Sequence, residues 1–177
     1  MNIYLKPIEL EDGKEYCDLL IELARYEDAY ARPVPSDFEP HEFESFKATR
    51  VKMASGVDLP STVTQTNTYW VMDDVSPIGY ATLKHKVDLS KPGGHFGCCL
   101  KKEYQNKGIG TQVANLLSEI ALNDLGIEEV IFTSKNENEQ SKRSVSHIGG
   151  TLIKVEKGYH FYKVNIKEKL QSIGKGK

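Results

Sequence analysis

The segment from Gly94 to Leu117 constrains the fold more than any other part of the chain: Gly-His-Phe-Gly-Cys-Cys-Leu-Lys-Lys-Glu-Tyr-Gln-Asn-Lys-Gly-Ile-Gly-Thr-Gln-Val-Ala-Asn-Leu-Leu. It reads as a strand, a basic turn and the start of an amphipathic helix. In the strand, Phe96, Cys98 and Leu100 share one face, with Gly97 and Cys99 on the other. Beyond the turn, Val113, Leu116, Leu117 and Ile120 follow the i, i+3, i+4, i+7 spacing of a core-facing helix. The turn, Gln105-Asn106-Lys107-Gly108-Ile109-Gly110, opens that helix, where the first amides lack intrahelical partners and the dipole is positive. Glycines at 108 and 110 remove side chains that would keep a ligand from those amides. Lys101, Lys102 and Lys107 add positive charge, so a phosphate or pyrophosphate is the expected guest.

Familiar nucleotide loops fail on spacing. A dinucleotide fingerprint needs a third glycine where Val113 stands, and a P-loop needs its lysine after the glycine rather than before it. A strand-to-helix connection without a ligand is the bland alternative.

The whole chain sets further bounds. Its 177 residues suit one domain with an adequate core. A formal charge of −2 argues against nucleic acid as a partner. No apolar run is long enough for a membrane span, and Met-Asn-Ile-Tyr-Leu-Lys lacks the layout of a signal peptide, so a cytoplasmic protein is expected. Cys17, Cys98 and Cys99 lack metal-ligand spacing, and strand neighbours Cys98 and Cys99 face opposite ways. No metal site is expected, and the thiols read as buried and free.

In chain order, Ile3 to Ile8 reads as a first strand. Asp12 with Glu15 resembles a capping box for a helix carrying Tyr16, Leu19, Leu20 and Leu23 inward. Arg32-Pro33-Val34-Pro35 and Pro40 place a loop over 27–40. A second helix runs from about His41 to Ala54, with Phe43, Phe46 and Met53 inward and Gly56 as its stop. Glu27, Asp28, Asp37, Glu39, Glu42 and Glu44 form an acidic cluster, either a solvated face or a mouth attracting a cationic amine. Strands over Thr68 to Met72 and Ile78 to Val87 form a hairpin leading to the strand at 95–101. After the central helix come a strand at Val130 to Thr133, a short helix opened by Asn138-Glu139-Gln140-Ser141 and ended by Gly149-Gly150, and a hairpin of Thr151 to Glu156 with Tyr159 to Ile166. Residues 1–168 are expected to form one domain and 169–177 a flexible tail.

This order, with Gln-x-x-Gly-x-Gly at 105–110 and Asn138-x-x-Ser141 before Gly149-Gly150, resembles the GNAT superfamily of N-acetyltransferases. Ile78-Gly79 through His85 and Gly94-His95-Phe96-Gly97 resemble a bacterial branch of predicted acetyltransferases. The resemblance implies an α/β fold: a single mixed, mostly antiparallel sheet of six to seven strands, about four flanking helices, and a cofactor cleft between the fourth and fifth strands. It also implies acetyl-CoA as acetyl donor and no metal. Cys99, Leu100 and Lys102 would meet the pantetheine and thioester. Gln105, Asn106, Lys107, Gly108, Ile109, Gly110 and Thr111 would hold the pyrophosphate, and Asn138 and Ser141 would flank the pantetheine.

Transfer to an amine in a ternary complex requires a neutral amine, and His95 is the candidate base, with His85 behind it and Glu103 read as surface charge. The alternative for His95 is a structural bond at the strand start. Many family members carry a tyrosine acid where this chain has Val145; Tyr159 and Tyr162 read as packing residues. The expected partner is a small-molecule or peptide amine, with pairing into a homodimer through the closing hairpin. A CoA-binding sensor without turnover and a plain interaction domain remain open as other readings.

Overall fold

The computed structural model describes residues 1–26 and 32–174. Strand β1 (Tyr4–Pro7) precedes helix α1 (Lys14–Ala24), and a 3₁₀ turn (Pro40–Glu42) leads into α2 (Phe43–Ser55). Strands β2 (Thr66–Met72), β3 (Pro77–Lys84) and β4 (Phe96–Leu100) follow, then a 3₁₀ turn (Lys102–Tyr104) and α3 (Ile109–Asn123). The chain continues through β5 (Glu129–Lys135), α4 (Glu139–His147), β6 (Thr151–Glu156), β7 (Tyr159–Asn165) and α5 (Ile166–Gly174).

The strands form two antiparallel sheets, ordered β1-β2-β3-β4 and β5-β7-β6, rather than one continuous ladder. The break falls between β4 and β5, where the cleft is expected. Side-chain alternation along β3 explains the two cores on either side of the first sheet. Ala81 and Leu83 join a cluster with Ile109, Val113 and Leu117 of α3. Tyr80 faces the other way, into a cluster with Leu19, Leu20 and Leu23 of α1 and Phe43 and Phe46 of α2. Trp70 anchors this second core, stacked on Tyr16 at 4.9 Å and edge-on to Tyr80 at 6.3 Å. Each fully buried aliphatic side chain here contributes about 1.5–3 kcal/mol.

Asp12 corrects its sequence reading. The N-cap of α1 is Gly13, without a side-chain cap. Asp12 is instead buried beneath the helix, accepting hydrogen bonds from Trp70 Nε1 at 2.7 Å and the Glu9 amide at 2.8 Å and pairing with Lys6. A partner distant in sequence outcompetes the local cap.

Helix α5 reaches into the segment read from sequence as a flexible tail. Residues 166–174 form α5, Ile166 is fully buried, and Asn165 Oδ1 accepts the Glu168 amide at 3.0 Å at the helix start. Lys169 Nζ also donates to Asn115 on α3. Residues 175–177 lie outside the described residues, as do Glu27 and Asp28 of the acidic cluster. No described helix is long and apolar enough to cross a membrane.

Candidate active site

The open edge of β4 defines the site. The Lys101 amide donates to the Ile78 carbonyl at 2.9 Å and the Lys84 amide donates to the His95 carbonyl at 2.7 Å. With the register Leu100↔Gly79, Cys99↔Tyr80 and Gly97↔Thr82, odd-numbered residues of β4 bond to β3. The N–H and C=O groups of Phe96, Cys98 and Leu100 therefore point away from β3, where β4 has no ladder partner. The Leu100 amide therefore faces the cleft, and that of Cys99 is committed to β3.

His95 holds the closed end of the cleft. Its amide donates to the Ile131 carbonyl at 2.8 Å, and its Nδ1 accepts the Ile131 N–H at 2.9 Å. The side chain is buried, and burial lowers its pKa below the ordinary value near 6.5, keeping the ring neutral with its proton on Nε2. This geometry is that of a clasp between β4 and β5. A base needs a free lone pair, and the ring's lone pair is bonded. Gly94 makes the approach possible, since a Cβ there would run into the Ile131 carbonyl and lie 2.9 Å from Phe132 Cα. His85 is bonded by Nε2 to Asn67 Oδ1 at 2.8 Å, outside the cleft, and Glu103 is exposed.

At the open end the turn into α3 takes the expected form. Gly108 is the N-cap, with φ of 77° and nothing within 4 Å of where its Cβ would stand. Asn106 precedes it with φ of 57°. The Thr111 and Gln112 amides both reach the Gly108 carbonyl at 3.1 Å, so the Gly108, Ile109 and Gly110 amides come before the first bond of the helix. Buried Ile109 fixes this turn against the core. A cradle open above, with positive dipole beneath, fits a pyrophosphate.

Several side chains serve the scaffold rather than the loop. Gln105 Nε2 donates to the Leu100 carbonyl at 2.9 Å and closes the turn. The Lys102 amide, expected to meet pantetheine, donates to Tyr26 Oη at 3.2 Å instead. Lys101 pairs with Glu22 at 3.6 Å, and Lys102 Nζ sits 5.0 Å from the Tyr26 ring centroid, so both lysines lean towards α1. Lys107 is exposed. Asn138 caps α4, its Oδ1 accepting the Ser141 amide at 3.0 Å.

These parts surround one cavity of about 650 Å³. Cys99, Leu100, Gln105, Gly110, Asn138 and Ser141 line it among the residues expected from sequence; His95, Lys102, Asn106, Lys107, Gly108, Ile109 and Thr111 do not. Buried Val145 forms part of the cavity wall, and Tyr159 and Tyr162 lie elsewhere. Cys98 also lines the cavity, but burial pushes its thiol up to about 12, so it stays protonated.

Sequence reasoning missed Tyr26, Arg50, Tyr80 and Lys84, which all line the cavity. Tyr26 is held protonated, raised to about 12 by burial and by the hydrogen bond it donates to Glu22 at 2.6 Å. Tyr80 and Lys84 stand on the same β3 face, a signal present in the i, i+2, i+4 spacing of Tyr80-Thr82-Lys84. Among the described residues, Asp37, Glu39, Glu42 and Glu44 do not line this cavity; Glu42 accepts the Glu39 amide at 2.8 Å, and Glu44 pairs with Lys47. No described group of three His, Cys, Asp or Glu side chains could hold a metal.

The structure is a two-sheet α/β fold with a free strand edge at β4 and an amide-lined helix start at α3. The sequence matches the family model of the acetyltransferase (GNAT) domain over residues 2–151, and the chain belongs to that family of acyltransferases. No curated protein matches the sequence.

Solved structures share the fold at low identity. The Campylobacter jejuni N-acetyltransferase PseH in complex with acetyl-CoA is 15% identical, with a TM-score of 0.62 over 93% of this chain and 99% of that one. The microcin self-immunity acetyltransferase MccE in complex with acetyl-CoA and AMP is 17% identical, with a TM-score of 0.67 and 91% of each chain covered. A chimera of the Vibrio cholerae spermidine N-acetyltransferase SpeG is 15% identical, with a TM-score of 0.64 over 95% and 98% of the two chains.

Proposed function

We propose that this protein transfers an acetyl group from acetyl-CoA to a primary amine by direct attack within a ternary complex. The observation that carries the reading is the continuity of one cavity from Gly110 and Gln105, beside the amide cradle, past the unpaired edge of β4 to Tyr80 and Lys84. An extended pantetheine arm needs that free edge, a pyrophosphate needs that cradle, and an acceptor needs the space beyond.

The thioester supplies an activated acyl carbon. The amine nitrogen bonds to that carbon, the C–S bond breaks with its electron pair going to sulfur, and the extra proton on nitrogen leaves to water. The Leu100 N–H faces the cleft to stabilise charge on the carbonyl oxygen. Protonated Cys98 is a poor nucleophile, which supports direct transfer over an acetyl-cysteine intermediate. With Val145 in place of a tyrosine, CoA departs as a thiolate, feasible for a thiol of pKa about 8.5. The bonded Nδ1 of His95 supports a clasp role rather than a base role. Free thiols suit a reducing compartment such as the cytoplasm.

The test is simultaneous measurement of thiol release and N-acetyl product over a panel of amino acids, amino sugars, polyamines and peptides. Equal amounts of both products are expected with at least one amine. Tight acetyl-CoA binding without product would replace transferase by sensor, and no binding would remove the cofactor.

A further inference from the structure

We infer that the acceptor end of the cavity is an anion subsite, so that the amine acetylated by this protein carries a carboxylate or phosphate. The inference rests on the acetyltransferase reading above and names its substrate class. Arg32, Arg50 and Lys84 line the cavity, and among the described residues no aspartate or glutamate does.

Arg50 is held as a binding group rather than an ion pair. Its guanidinium carbon lies 4.9 Å from the Phe46 ring centroid, Nη2 donates to the Pro33 carbonyl at 3.3 Å, and Nη1 contacts the Met53 sulfur at 3.6 Å. Its buried Nε has no hydrogen-bond partner among the described residues. No carboxylate pairs with Arg50 or Lys84 among the described residues. A guanidinium stacked on a ring and lining the cavity, with no carboxylate beside it among the described residues, is suited to a planar or tetrahedral oxyanion.

Lys84 is too far along the sheet to serve the phosphates at the α3 start. Lys84 stands opposite His95 at the closed end of β4, whereas Ile78 stands opposite Lys101 at the end leading to the cradle. Six strand residues separate Lys84 from Ile78, about 20 Å at 3.3 Å per residue. Arg50 lies on the α2 side of the sheet, near Tyr80, whose ring is 6.3 Å from Phe46. Two separate positive regions in one cavity imply two anionic groups, one on the donor and one on the acceptor. A polycation would meet like charge here.

The experiment titrates amines into CoA-saturated protein by calorimetry, which needs no turnover. The probes are glucosamine 6-phosphate against glucosamine, phosphoethanolamine and β-alanine against ethanolamine, and spermidine. At least one anionic amine is expected to bind tenfold or more tightly than its neutral counterpart, the phosphate and carboxylate arms showing which oxyanion is preferred. Arg50→Gln and Lys84→Gln should each weaken that amine tenfold or more while leaving acetyl-CoA affinity within twofold; Arg50→Lys should retain part of the binding. Tighter binding of spermidine or of a neutral amine, or unchanged affinity in both glutamine variants, overturns the inference. Failure of the wild type to bind CoA overturns instead the acetyltransferase reading on which it rests.

Discussion

Gly110→Asp separates a binding site from a merely structural turn, because its effects on fold and ligand have opposite signs. Gly110 is the second residue of α3, outside the left-handed region, and the nearest atom to an added Cβ is Ser144 Oγ at 3.9 Å. The side chain therefore fits. In the free protein a carboxylate in the first turn interacts favourably with the helix dipole by about 0.3–1 kcal/mol, and replacing glycine adds a few tenths through helix propensity. A gain of about 1 kcal/mol corresponds to a midpoint higher by about 2–4 °C for a chain of this size.

With pyrophosphate in the cradle, the same carboxylate meets like charge. A unit pair at about 4 Å costs about 4 kcal/mol at an effective dielectric of 20; allowing half for exposure leaves about 2 kcal/mol, or roughly thirtyfold in affinity. Calorimetric titration of acetyl-CoA, with thermal unfolding of the same samples, reads both quantities. Gly110→Ala should bind within about threefold of wild type, being uncharged. A Gly110→Asp protein as stable as wild type and binding acetyl-CoA equally well would refute the placement of the phosphates.

Other residues give further tests. His95→Ala should destabilise by about 2–4 kcal/mol in denaturant unfolding, since it orphans the buried Ile131 amide and empties the space of a ring. Because the folded pKa of His95 is lowered, wild-type stability should be full above about pH 6.5 and decline as pH falls below it, with a shallower decline in His95→Ala; a fully stable but inactive variant would return His95 to the role of base. Gly94→Ala, which drives a methyl into the β5 backbone, should cost about 1–3 kcal/mol in the same assay, and a neutral result would sink the close-approach argument. Asn138→Ala should lose about 1 kcal/mol through the α4 cap, measurable by thermal unfolding. We also propose pairing of two chains along β6, where Leu152, Ile153 and Val155 are exposed; sedimentation should show a dimer that Val155→Lys dissociates, and a monomer at all concentrations would end that proposal.

What was legible in the sequence was local. Strand, turn and helix over 94–117 announce themselves because alternation, glycine and a periodic stripe act within a few residues. The same holds for the Asn138 cap and for the Lys157-Gly158 turn, whose two residues are left-handed at 51° and 81°. What was hidden depends on partners distant in the chain. Asp12 looks like a cap until Trp70, 58 residues away, donates to it. Ile166 looks like the end of a strand until α3 covers it. His95 could be a base or a clasp, and the hydrogen bond its Nδ1 accepts from Ile131, 36 residues away, is not visible in the spacing. Arg50 gains its role from Phe46 beneath it and from the sheet that Phe46 packs on, which no spacing along α2 displays. The acidic residues at 37–44 drew attention by number, yet the cavity beside them is lined by cations.

Residue-resolved nuclear magnetic resonance tests the central claim most directly, by following backbone amide shifts as acetyl-CoA is added. The account predicts the largest changes at Gly108, Ile109 and Gly110 and at Leu100 on the free edge of β4, with the Lys157-Gly158 turn undisturbed. Shifts confined to other surfaces, or a spectrum unchanged at millimolar acetyl-CoA, would contradict a cofactor site between β4 and β5.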